Sequence, residues 1–130
     1  MKKIFSMLLV MLLSIPVISF AQNKPTWPEM KNFHTVMSGT FHPAEEGNLT
    51  PLRERAIELF ENARKWQESA IPSTFKKEET TEALKQLVVQ CGAVMKAVEA
   101  RASDSDLTRM IGEAHDIFHR IVGECRNADH

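Results

Sequence analysis

Apolar side chains recur along most of this chain at the 3.6-residue period of an amphipathic helix, in four separate runs. The first starts around Pro28. Trp27, Met30, Phe33, His34, Met37 and Phe41 fall on one stripe. Gly39 and Pro43 interrupt it, which predicts a helix to about Ser38 and then an irregular or kinked segment through Glu46. Gly47-Asn48 reads as a turn. The second run opens with Thr50 as the expected N-cap and Pro51 at the first helical position. Leu52, Ala56, Leu59, Ala63 and Trp66 form its stripe, and it ends near Ala70, before Pro72.

The third helix is expected from about Glu78 to Arg101, with Leu84, Leu87, Val88, Cys91, Met95 and Val98 inward. Ser103 and Asp106 stand at capping-box spacing before the fourth run. That run carries Leu107, Met110, Ile111, Ala114, Phe118, Ile121, Val122 and Cys125. No stretch alternates with period two strongly enough for a strand. Four amphipathic helices with short connections predict an all-α fold, an antiparallel up-down-up-down four-helix bundle.

The amino terminus has a different pattern. Lys2 and Lys3 precede an apolar run from Ile4 to Phe20, and Ser19-Phe20-Ala21 has the small-x-small form that signal peptidase cuts. Residues 1–21 therefore read as a cleaved signal peptide. No cysteine follows, which excludes a lipoprotein. The expected mature chain, 22–130, is one periplasmic domain with no stable membrane anchor. Its 109 residues suffice for one modest core. They carry 14 Lys and Arg against 17 Asp and Glu, with no basic block, which argues against nucleic acid.

The imidazoles cluster. His115 and His119 lie four residues apart, on one face of a helix about one turn apart, a familiar chelating arrangement for transition ions. Counting from the turns at Gly47-Asn48 and Ser103 brings His34 to nearly the height of His115. A site between helices one and four could thus collect His34, His115 and His119. His42 and Glu46 join it if the segment after Gly39 folds back over the bundle. If that segment stays at the turn, His42 is too high by roughly 12 Å. Met37 could add a thioether, which would suit copper. Imidazoles with a carboxylate would suit zinc, nickel or cobalt.

The same count separates Cys91 from Cys125 by about 15 Å of helix rise, too far for a disulfide, which needs Cα atoms within about 7 Å. Two buried thiols are expected. Cys91, level with His115, is also a candidate thiolate ligand. There is no nucleophile elbow, phosphate loop or Glu-x-x-His pair, so no enzyme is expected. No Cys-x-x-Cys-His occurs, which excludes covalent c-type haem.

The segments Phe33-His34-Thr-Val-Met37-Ser-Gly-Thr-Phe41-His42-Pro43-Ala-Glu45-Glu46-Gly47-Asn48-Leu49 and His115-Asp-Ile-Phe118-His119-Arg-Ile-Val122-Gly-Glu-Cys125 resemble a family of small exported bundle proteins of Bacteroidetes-type bacteria. The resemblance covers most of the mature chain. It implies that His34, His42, Glu46, His115 and His119 belong to one shared site, and it names neither the metal nor a reaction. The architecture is also similar to periplasmic metal-sensing bundles and, more distantly, to b-type cytochrome bundles. Met37 and His115 could mimic the axial ligands of the latter. The expectation is a periplasmic binder of Zn, Cu, Ni or Co acting as buffer, chaperone or sensor module, as a homodimer or with a metal-handling partner. Its rivals are a haem-binding electron carrier using Met37 and His115, and a metal-free interaction module.

Overall fold

Helices account for most of residues 27–127, the part of the chain that the structure, a computed structural model, describes. α1 spans Pro28–Glu45, α2 Thr50–Glu68, α3 Lys77–Glu99 and α4 Asp104–Gly123. Each packs on its neighbours in the chain and α4 closes on α1, giving a four-helix bundle around one core. The expected signal peptide, 1–21, lies outside the described residues. Among the described residues no helix is long and apolar enough to cross a membrane.

The predicted stripes supply most of the core. On α2 the buried residues are Leu52, Ala56, Leu59, Ala63 and Trp66, as the spacing predicts. On α3 the buried face is turned slightly, with Thr80, Ala83 and Val94 inside and Val88 and Val98 only packed against its edge. Aromatic rings fill one end of the bundle. Trp27 meets Trp66 at 5.6 Å and Phe75 at 5.0 Å, and Phe33 meets Trp66 at 5.3 Å. The Trp27 indole N–H donates to Ser69 Oγ at 2.8 Å, and that hydroxyl donates to the Trp66 carbonyl. These bonds tie the start of α1 to the end of α2.

α1 corrects the sequence reading. It runs unbroken past Gly39 and Pro43 to Glu45. Pro43 lies in the last turn, where a missing N–H forfeits a single intrahelical bond and little helix remains to be kinked. Gly39 makes room for a neighbour: a Cβ there would stand 2.7 Å from Arg55 Nη1 on α2. The helix ends at Gly47, whose φ of +87° favours glycine. The Gly47 N–H donates to the Ala44 carbonyl at 3.0 Å and the Asn48 N–H to the Pro43 carbonyl at 2.8 Å, the paired bonds of a Schellman cap. Thr50 is not an N-cap but the first residue of α2, and Asn48 Oδ1 accepts from its N–H at 3.2 Å.

The α3–α4 turn is capped as predicted, with Ser103 Oγ accepting from the Asp106 N–H at 3.1 Å. Arg53 on α2 fixes its position by donating to the Ala102 carbonyl at 3.0 Å and to Asp104 at 2.7 Å. Beyond α4 the chain runs beside the α2–α3 connection. The Lys76 N–H donates to the Cys125 carbonyl and the Asn127 N–H to the Thr74 carbonyl, each at 2.7 Å. This one β-bridge, Phe75 to Arg126, anchors the end of the described chain. Both cysteines are free and buried. Burial pushes the Cys91 thiol up to about 12, so it stays protonated in the core and is a poor ligand.

Candidate metal centre

The seam between α1 and α4 carries all four imidazoles of the described chain. On α4, His115 and His119 sit one turn apart with their Nε2 atoms at 3.0 Å and ring centroids at 4.3 Å. Phe41 of α1 lies flat on His115, with centroids 3.7 Å apart and planes at 12°. That contact holds one imidazole in place. His42, the next residue of α1, meets His115 edge-on at 6.5 Å. Farther along the seam, His34 stacks on Phe118 at 5.1 Å and 9°, and the Phe118 ring lies 5.7 Å from His119.

Two expectations about α1 need correction. His34 is exposed on the helix flank and not inside the apolar stripe. It also lies level with Phe118, while Phe41 and His42 occupy the height of His115. The cause is the α1–α2 connection. Phe41 lies about one turn before the end of α1, whereas His115 lies about three turns into α4. α1 therefore stops about two turns short of the level where α4 begins, and the residues between Glu45 and Thr50 make up the difference. Equal counting from the two turns presumes that both turns sit at one height. With α1 helical to its end, His42 reaches the site from the helix itself and no chain reversal is needed.

Two exposed carboxylates end α1. Glu46 is the exposed C-cap of α1. Glu45, one turn beyond Phe41, is the α1 carboxylate whose charge acts on His115. Its spacing of four from Phe41 was the signal in the sequence. Sequence reasoning also missed Phe41 and Phe118 as platforms for imidazoles, because both read as ordinary members of apolar stripes.

Electrostatics favour a neutral His115. Burial against Phe41 lowers its pKa, and the nearby His119 and His42 lower it further, against the opposing pull of Asp116 and Glu45. A metal must displace protons from its ligands, so an imidazole that is already neutral binds more readily near pH 7. Without a metal the two Nε2 atoms can share one hydrogen, one ring donating and the other accepting.

Zn–N bonds of about 2.0–2.1 Å place two ligand nitrogens about 3.3 Å apart around a tetrahedral ion. Bonds of that length at a right angle, as in square-planar or octahedral sites, place them about 2.9 Å apart. The observed 3.0 Å, a hydrogen-bond separation, lies between the two values. The rings of His42, His115 and His119 are neighbours but are not at ligating separations. An imidazole centroid sits roughly 3.2 Å from an ion bound at Nε2, so centroids sharing one ion fall between about 4.6 Å and 6.4 Å. The observed separations from His115, 4.3 Å to His119 and 6.5 Å to His42, lie just below and just above that window, so the rings must shift to share one ion. Among the described residues no three His, Cys, Asp or Glu side chains are already gathered as a metal site. What is formed is a pair of imidazoles at hydrogen-bonding distance, and gathering a third donor requires a rotamer change of an exposed side chain such as His42.

Met37 is 1% exposed within the core, and His115 is on the seam behind Phe41. A haem spanning them would have to displace Phe41. Comparison with family models, curated proteins and solved structures gives no match to this chain.

Proposed function

We propose that this protein is an exported, periplasmic four-helix bundle of antiparallel up-down-up-down topology that binds a divalent transition ion at the α1–α4 seam. The pairings His34 with Phe118 and Phe41 with His115, in opposite order along the two helices, support the antiparallel arrangement. The observation that carries the metal reading is the 3.0 Å Nε2–Nε2 separation of His115 and His119, with His115 held by Phe41. His42 is the third ligand, and Glu45 is the neighbouring carboxylate. Neither Glu46 nor His34 is needed. An open site on an exposed flank suits reversible loading, the property of a buffer, chaperone or sensor module, and no catalytic role is assigned to it. Imidazole sites rank copper and nickel over cobalt, so copper is the ion expected to bind most tightly.

Calorimetry of the apo protein with Cu, Ni, Co and Zn tests this. The expected result is one ion per chain, copper tightest, with affinity at least a hundredfold lower in His115→Ala/His119→Ala. Equal affinity in the wild type and the double variant would refute the assignment.

A further inference from the structure

Beside the chelate, toward the amino-terminal half of α1, the seam widens into a groove of about 320 Å³. This is near the lower end of the range for small-molecule sites. Its floor is apolar, formed by Met30, Phe118 and Val122. Its rim carries Lys31 and Arg126 with the imidazoles of His34 and His119, and no acidic residue lines it among the described residues.

The position of Arg126 is fixed by contacts the metal site does not use. The β-bridge to Phe75 holds its backbone, and its guanidinium lies 5.6 Å over the Phe75 ring. Arg126 lines the groove, and its guanidinium is a planar fork of donors that matches a carboxylate through two parallel hydrogen bonds. Lys31 adds a second cation on the α1 side. The exposed His34 ring, backed by Phe118, and the partly exposed Met30 and Val122 offer a surface for an apolar or aromatic body.

We propose that this groove binds a small organic anion, a monocarboxylate with a compact apolar or aromatic body, with the carboxylate toward Arg126 and Lys31 and the body against His34, Met30 and Val122. The site stands on the groove's own charge and shape and does not depend on the metal reading.

Benzoate is the probe, followed through backbone amide shifts of metal-free, full-length mature protein. The expected result is saturable shifts centred on Met30, His34, Phe118 and Val122, with a Kd of about 1 mM or below. Benzyl alcohol, which lacks the charge, should bind at least tenfold more weakly. Arg126→Gln should weaken benzoate at least fivefold. Lys31→Gln, remote from the β-bridge, should weaken it at least twofold and keeps the test valid if Arg126→Gln disturbs the bridge. His115→Ala should leave benzoate binding intact, so failure of the chelate and failure of the groove are read separately. Absence of saturable benzoate shifts, equal binding of benzyl alcohol, or unchanged affinity in both charge variants would overturn the proposal.

Discussion

The α1–α4 seam holds two imidazole–phenyl stacks of opposite polarity. In one, the phenyl is Phe41 on α1 and the imidazole is His115 on α4. In the other, the imidazole is His34 on α1 and the phenyl is Phe118 on α4. The ring chemistry is the same, and the surroundings differ. His115 has a second imidazole at 3.0 Å and His42 and Glu45 nearby. His34 shares a groove with Lys31 and Arg126. A cation repels a metal ion and attracts an anion, whereas a neighbouring neutral imidazole completes a chelate. In the proposed assignments, neighbours within a few ångströms set what each histidine binds, and the shared stacking only holds the ring still.

The sharpest way to break the comparison is to remove the platform under each imidazole. Phe118 is 5% exposed and also packs on Phe33 and Trp66. Phe118→Ala should cost about 4–5 kcal/mol in urea unfolding, at the upper end for such truncations. Phe41→Ala should cost less, about 3 kcal/mol, and should also raise the His115 pKa by admitting water. A larger loss at Phe41 would mean that the seam is supported mainly at the chelate end.

A smaller effect follows from protonation. The pKa of His115 is lowered in the folded state, so the unfolded chain takes up a proton first as pH falls. The stability contributed by the neutral ring is fully present above the ordinary imidazole value and declines as pH drops from there toward the lowered folded value. Urea midpoints measured between pH 7.5 and 5 should therefore fall more steeply for the wild type than for His115→Gln. Parallel curves would contradict a half-buried, neutral His115.

The smallest expected change is a gain. Gly112 lies one turn before His115 on α4, and a Cβ there would meet nothing within 4 Å. Gly112→Ala should add about 0.5–1 kcal/mol and steady the turn that presents the imidazole pair. A loss on this substitution would show that α4 needs freedom at that point.

The helical fold was legible because it depends on period alone: Leu52, Ala56, Leu59, Ala63 and Trp66 are buried at the positions their spacing predicts. The Ser103 cap was legible for the same kind of reason, since it acts within one turn. The pair His115 and His119 was legible because both residues share one helix. The alignment of α1 against α4 was not, because it depends on the height of each connection and on Gly39 accommodating Arg55 rather than breaking the helix. That misjudged alignment put His34 level with His115 and left His42 dependent on a chain reversal. The groove escaped notice because Arg126 reaches it through a β-bridge between distant segments, which no periodicity signals.

The most direct test of the difference between the two stacks is a substoichiometric zinc titration followed through the imidazole nitrogen-15 shifts of each histidine. The account predicts that Nε2 of His115 and His119 shifts together at the first additions, that His42 follows, and that His34 keeps its free-state shift until the chelate is full. Early coordination at His34, or shifts of equal size at all four rings, would contradict it.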